Sequence, residues 1–209
     1  MYMKKSMIKG IVSVIFASAL LCSCDLLDLT PKAAVTVKTY FKNESELELY
    51  ANRFYYDILP GGSGIYKEIG DNMIWIPLAS EVSLTRTVPE KGGGWSFEAL
   101  RHINFLLENI GNCPDAAAVR KYTGVAKFFR AHYYFNMVKR FGDVPWLDHV
   151  PGTDDPDLYK ARDSRDVVMG KVIEDIDEAI RLFKKENSTK DLYHVTWWTA
   201  MALKSRICL

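Results

Sequence analysis

Two cysteines near the start of the chain are the first residues whose type and spacing suggest chemistry. Cys22 and Cys24 stand two positions apart. A Cys-x-Cys pair can exchange disulfides or supply two ligands to a metal ion. A metal site would need further thiols or histidines at ligand spacing, and the chain holds only Cys113 and Cys208 besides. The redox and metal interpretations are therefore disfavoured.

The residues before these cysteines are typical of a secretory signal. Three lysines precede an eleven-residue apolar run, residues 11–21. A helix needs about 20 apolar residues to cross a bilayer, so this run is too short to span one. A positive start followed by a short apolar run predicts a signal peptide over residues 1–23.

The sequence around Cys24 resembles a bacterial lipobox. Leu21 lies three positions before Cys24, and the small residue Ser23 lies directly before it. The pattern predicts that Cys24 is lipidated and becomes the first mature residue, whereas Cys22 is lost with the signal. Acyl chains anchor a protein stably when several act together. We therefore expect a membrane-anchored protein outside the cytoplasm, with residues 24–40 as a tether.

Metal-ligating residues elsewhere do not form a recognisable motif. Asp154, Asp155 and Asp157 cluster in one segment, but this run lacks the glycine and the closing glutamate of an EF-hand-like loop. We interpret it as solvated charge. His102 and His132 fall within helical patterns without a carboxylate or thiol arranged around them, which indicates buried or surface imidazoles. No metal site and no cofactor is predicted.

Catalytic motifs are also missing from the sequence. It contains no nucleophile elbow, no metal-binding histidine pair and no glycine-rich phosphate loop. Asp143, in Phe-Gly-Asp-Val-Pro, is predicted to form a turn and accept local backbone amides. A glycosidase needs two carboxylates about 5–9.5 Å apart, and any two of the 26 acids could meet in space. A lipid-anchored glycan-acting enzyme therefore stays open as an alternative.

The charge balance excludes a basic surface for nucleic acid. The chain has 27 basic and 26 acidic residues. Removal of residues 1–23 takes away three lysines and no acid, which leaves 24 basic residues against 26 acidic ones. A mature net charge of −2 gives no field that would attract phosphates.

Aromatic residues are the candidates for ligand contact. Trp75, Arg86 and Trp95 lie in or at the edge of a long segment rich in glycine and proline, residues 60–94. An exposed indole can stack on a sugar face, and an arginine can donate hydrogen bonds to hydroxyls. Loop anchoring or core packing is the competing interpretation, most of all for Trp95 beside the following helix.

Apolar periodicity predicts helices throughout the remainder. Asn43, with Glu46 three residues later, resembles a capping box, and Thr196 can cap the last helix. No segment alternates with a period of two, so the predicted class is all-α. The predicted helices are 44–59, 96–110, one from 119 to a stop at Gly142, 164–184 and 197–209.

The helix before Gly142 carries apolar residues around most of its circumference. Only a thin polar stripe remains around Lys121, Arg130 and Lys139. Such a helix must be covered by neighbours on more than one side, which places Tyr133 and Tyr134 in the core.

A small-then-aromatic step occurs twice in the predicted helices. Ala131 precedes Phe135, and Ala179 precedes Phe183, at a separation of 48 residues instead of the 34 of a tetratricopeptide repeat. From the residues alone, a divergent TPR-like array and an ordinary helical bundle both stay open.

Five stretches of the sequence follow one another along the chain: CDLLDLTP, RHINFLLENI, YTGVAKFFRAHYYFNMVKRFGDVPW, ARDSRDVVMGKVIEDIDEAI and WWTAMALKSRICL. Together they resemble, in this order, the N-terminal portion of the SusD/RagB family, which comprises outer-membrane lipoproteins of Bacteroidota. The most specific of them is the aromatic helix ending in Phe-Gly-Asp-Val-Pro.

This resemblance implies an all-α, TPR-like helical array with long loops, here residues 41–209, anchored at the cell surface. It implies a non-catalytic protein that binds oligosaccharides or other nutrients and passes them to a SusC-like TonB-dependent transporter. Family members are longer, so we expect a chain truncated at its C-terminal end. A purely protein-binding TPR-like scaffold is the remaining alternative.

Overall fold

Five α-helices make up most of the chain that the structure describes. The computed structural model describes residues 40–61, 76–78, 80, 82–90, 92–186 and 193–209, with the backbone alone for 184–186. Cys24, most of the predicted tether and Trp75 lie outside these residues. The helices are α1 Glu44–Ile58, α2 Glu98–Asn109, α3 Ala116–Phe141, α4 Arg165–Glu186 and α5 Trp197–Ile207.

The all-α prediction is confirmed. Within the described residues, an isolated antiparallel bridge between Val144 and Asp163 is the only β pairing. Two short 3-10 turns, Ile110–Asn112 and Pro156–Tyr159, complete the regular structure of these ranges. All described residues belong to one of the two units into which the chain divides, Val37–Leu209.

The predicted capping signals begin two of the helices. The Asn43 side chain accepts a hydrogen bond from the Glu46 amide at 3.0 Å, which starts α1. Thr196 and Thr199 form a reciprocal capping box at the start of α5. Each cap satisfies backbone donors that the first helical turn leaves free.

Helix α3 begins earlier than its apolar pattern predicted. The Asp115 carboxylate accepts hydrogen bonds from the amides of Ala117 and Ala118, so the helix starts at Ala116. It ends where Gly142 adopts a positive φ of 72°, a conformation that favours glycine.

Helix α3 lies at the centre of the packing. It contacts each of the other four helices and packs most extensively against α4. Tyr134 is fully buried and Tyr133 is 8% exposed, which confirms their predicted place in the core. The prediction that Arg130 belongs to a polar stripe of this helix was wrong, because the Arg130 side chain is buried and only 5% exposed.

The connection between α3 and α4, residues 142–164, folds back over α2. Its two ends meet at the Val144–Asp163 bridge, where the Asp163 amide donates to the Val144 carbonyl at 3.2 Å. The bridge closes this connection into a loop that lies beside α2, where Asn104 and Glu108 form hydrogen bonds with its backbone.

We found no helix among the described residues that is both long enough and apolar enough to cross a membrane.

Candidate binding groove

A groove of about 470 Å³ lies between the start of α2 and the connection after α3. Its apolar wall includes Trp95, Phe97, Leu147 and Leu158. Its polar groups are Glu98, Arg101, Asn104, His149, Asp157 and Lys160. Apolar walls with a few polar groups are typical of small-molecule sites.

A buried ion pair joins α3 to α4 behind the groove. Arg130 on α3 contacts Asp175 on α4 through two hydrogen bonds, from Nε to Oδ2 at 2.5 Å and from a terminal nitrogen to Oδ1 at 2.9 Å. Lys127 also donates to Oδ1 of Asp175 at 2.7 Å. Arg130 and Asp175 are 5% and 3% exposed, so the pair is held largely away from water.

Asn104 on α2 connects this ion pair to the groove. Its side-chain oxygen accepts a hydrogen bond from Arg130 at 3.2 Å. Its side-chain nitrogen donates to the carbonyls of Leu147 and His149 at 2.9 and 3.0 Å. Because Asn104 is 1% exposed, its hydrogen bonds fix one wall of the groove from inside the protein.

Tyr134 holds the same wall from α3. Its hydroxyl accepts a hydrogen bond from the Leu147 amide at 2.7 Å and lies 3.2 Å from the Pro145 carbonyl. Its ring stacks on Trp146 with centroids 4.3 Å apart. Burial raises the pKa of the Tyr134 hydroxyl far above its usual value, so this group remains a hydrogen-bond donor.

Asp143 and Asp163 hold the two ends of the connection between α3 and α4 through hydrogen bonds. Burial alone would raise the pKa of Asp163, but a hydrogen bond from the Trp146 amide at 2.7 Å and the ammonium of Lys160 at 3.0 Å hold it below its usual range. Asp143 accepts a backbone amide, as predicted, but this amide belongs to Arg165 in the first turn of α4.

Trp95 lies on the groove wall and also packs against the protein. It is half-buried, and its ring meets Phe97 and Phe141 edge to face, with centroids 5.3 and 4.9 Å away. The Arg162 guanidinium lies 4.7 Å from the centroid of the Trp95 ring. Both interpretations of Trp95, packing and groove lining, thus have a structural basis.

The other predicted ligand contacts are not brought to this groove. Arg86 is exposed and is not among the described residues that line it. Trp75 lies outside the described residues, as does the predicted lipidation site, Cys24. The structure instead brings Trp95 together with Arg101 and His149, which the sequence had not singled out.

His149 faces acidic side chains on both ring nitrogens. Its Nε2 lies 2.9 Å from Oδ2 of Asp155 and 3.9 Å from Oδ2 of Asp157, whereas its Nδ1 lies 3.3 Å from Oδ1 of Asp148. The hydrogen bonds to Asp155 and Asp148 raise the pKa of His149. His149 lies six residues before Asp155, across the Pro151-Gly152 turn, so its spacing in the sequence does not group it with the aspartates.

The two histidines on helices are partly buried. His102 lies 3.4 Å from the Tyr50 hydroxyl, and His132 stacks on Phe128. Burial lowers the pKa of both imidazoles. Among the described residues, neither belongs to a group of three potential metal ligands.

Two solved structures resemble the fold. A SusD-like protein from Bacteroides fragilis NCTC 9343 superposes with a TM-score of 0.61 at 22% identity, over 81% of this chain and 35% of that one. A SusD-like carbohydrate-binding protein from the same organism superposes with a TM-score of 0.58 at 17% identity, over 81% of this chain and 38% of that one. The chain thus spans little more than a third of either protein.

The sequence itself places the chain in a family. No protein of curated function matches it. Residues 95–209 match the family model of SusD-like proteins, described as starch-binding and associating with the outer membrane. Because this match covers more than half of the 209 residues, the protein belongs to the SusD-like family.

Proposed function

We propose that this protein is a non-catalytic outer-membrane lipoprotein that binds an oligosaccharide and delivers it to a SusC-like TonB-dependent transporter. The observation that carries the proposal is the family match over residues 95–209. One solved structure that shares the fold is described as a carbohydrate-binding protein. The N-terminal lipid on Cys24 would hold the protein at the membrane surface.

The groove beside Trp95 is the proposed contact for the glycan among the described residues. A half-buried indole offers apolar area to a sugar ring, and the exposed guanidinium of Arg101 can donate to hydroxyls. The buried Asn104 side chain donates to the carbonyls of Leu147 and His149, so one wall of the groove is held in place without a ligand. A preformed site loses less conformational entropy when it binds.

The non-catalytic role is supported by the ion pairs that the acidic residues of the groove form. Glu98 and Asp157 both line it. Glu98 faces Arg53 and His102 at 3.7 and 3.9 Å, and Asp157 faces His149 at 3.9 Å. We propose that Glu98 remains an ion-pair partner of Arg53 and that Asp157 remains a partner of His149.

A binding measurement tests the glycan proposal. The full, detergent-solubilised chain is immobilised and exposed to starch-derived and other oligosaccharides. We expect Trp95→Ala to weaken binding at least about tenfold, which corresponds to about 1.4 kcal/mol. Trp198→Ala is the matched control, because Trp198 is 70% exposed on α5 and does not line the groove.

Unfolding of each variant is measured in parallel, because Trp95 also packs on its neighbours. If the Trp95→Ala variant does not fold, Arg101→Ala is compared with the unaltered chain instead, because Arg101 is an exposed residue of the groove. Absence of binding to every oligosaccharide, or an equal loss in the Trp198 control, would contradict the proposal. Release of reducing sugar by the purified chain would contradict its non-catalytic part.

The transporter partner is tested by affinity capture. The tagged, lipidated chain is purified from detergent-solubilised outer membranes, and the proteins that accompany it are identified by mass spectrometry. We expect a TonB-dependent transporter to be recovered with it. Recovery of the lipoprotein alone would contradict docking by this chain.

A further inference from the structure

We propose that His149, Asp155 and Asp157 bind a divalent transition-metal ion, Zn²⁺, at the edge of the groove. These three side chains each present one donor atom, and the donor atoms all lie within 4.8 Å of one another. The inference concerns the loop alone and does not depend on the proposed glycan binding.

The distances between the donors suit a tetrahedral ion. Zinc bonds of about 2.0–2.1 Å place neighbouring ligand atoms about 3.3 Å apart. Nε2 of His149 lies 2.9 Å from Oδ2 of Asp155 and 3.9 Å from Oδ2 of Asp157, so these two separations bracket that value. All three donor atoms lie within 4.8 Å of one another, and the carboxylates would close on the ion as it binds. An imidazole nitrogen combined with carboxylate oxygens suits zinc better than calcium, which prefers oxygen ligands alone.

Asp148 supplies an outer contact of the kind that metal-binding histidines make. Its Oδ1 lies 3.3 Å from Nδ1 of His149. In the structure as it stands, Nε2 of His149 shares a proton with Oδ2 of Asp155 at 2.9 Å. An ion would replace this proton, and the N–H that remains at Nδ1 would donate to Asp148. An ion at Nε2 would also neutralise the two carboxylates that face this nitrogen.

The donors stand on a loop that the protein already holds in place. The buried Asn104 side chain donates to the His149 carbonyl, and the Asp157 amide donates to Oδ1 of Asp155 at 2.9 Å. The latter bond uses one oxygen of Asp155 and leaves the other directed at His149. An ion would therefore bind to a loop whose backbone is already held, and the adjustment would fall on the side chains.

Three protein ligands leave a fourth zinc position open. His149 and Asp157 both line the groove, so the ion would lie at its edge. The fourth ligand would be water or an oxygen of a molecule in the groove.

Zinc titration of the full chain tests the site. The detergent-solubilised protein is stripped with a chelator, and Zn²⁺ is titrated against a chromophoric competitor. We expect one zinc per chain and a loss of affinity of at least about a hundredfold in His149→Ala. Asp157→Asn should also weaken binding, and the positioning variant Asp148→Asn should weaken it by about tenfold.

Asp154→Asn is the matched control, because this acid belongs to the same segment but not to the donor set. It should bind zinc as the unaltered chain does. Co²⁺ provides a second readout, since its visible absorption reports coordination whether or not the ion affects stability. Equal zinc affinity in the His149→Ala and unaltered chains, or an equal loss in Asp154→Asn, would overturn the proposal.

Discussion

At the scale of single residues, removal of one partner of the buried Arg130–Asp175 pair should cost more stability than breaking any other ion pair of the described structure. We expect Arg130→Met to lower the free energy of unfolding by about 3 kcal/mol, because Asp175 would keep only Lys127 as a charged partner. Chemical denaturation monitored by circular dichroism measures this change. Lys171→Met is the control, because Lys171 and Glu174 form an exposed pair that contributes at most about 1 kcal/mol.

A second variant separates a lost ion pair from lost packing. In Arg130→Met with Asp175→Leu, no charge remains buried, so we expect much of the lost stability to return. If Arg130→Met costs no more than the Lys171 control, the ion pair does not stabilise the junction of α3 and α4. The junction would then depend on apolar packing alone.

At the scale of helices, two glycines should respond oppositely to the same substitution. A Cβ atom at Gly124 on α3 would lie 2.9 Å from Cε1 of Phe183 on α4, whereas one at Gly170 would meet no atom within 4 Å. Alanine raises helix propensity by about 1 kcal/mol at either position. We expect Gly170→Ala to stabilise the chain and Gly124→Ala to destabilise it by about 1 kcal/mol or more, because the close contact outweighs the gain.

Thermal unfolding of both glycine variants, under the same conditions, shows whether each substitution raises or lowers the stability of the chain. Equal stabilisation by both substitutions would mean that α3 and α4 separate easily enough to admit the extra methyl group.

The sequence predicted the helices that carry local signals. The starts of α1 and α5 follow from Asn43 and Thr196, since a cap is made by residues only a few positions apart. The burial of Arg130 was not predictable in this way, because its partner Asp175 lies 45 residues away on another helix. Without knowledge of such a partner, a charged residue in an apolar helix is predicted to lie on an exposed polar stripe.

In the candidate site, too, residues could be predicted where their type was sufficient and not where their grouping depends on the fold. Trp95 could be selected because an indole in a glycine-rich segment is conspicuous by type. The grouping of His149 with Asp155 and Asp157 depends on the turn between them and on the hydrogen bonds from Asn104, which no spacing rule contains.

At the scale of the whole molecule, the proposed lipid anchor and the proposed glycan groove would have to act together. The predicted tether, from residue 24 to residue 40, could extend over at most about 60 Å. A lipid on Cys24 would therefore keep residue 40 within this distance of the membrane. Such confinement raises the local concentration of the helical unit around a membrane partner without any direct contact.

The anchor itself is tested by changing each of the two early cysteines. We expect Cys24→Ala to abolish fatty-acid labelling and to release the protein from the membrane fraction, since each buried methylene of an acyl chain contributes about 0.8 kcal/mol to anchoring. Cys22→Ala should remain labelled and membrane-bound, because Cys22 is predicted to leave with the signal peptide. Labelling that persists in Cys24→Ala would show that the lipid is attached elsewhere, and loss in Cys22→Ala alone would move the attachment site to that residue.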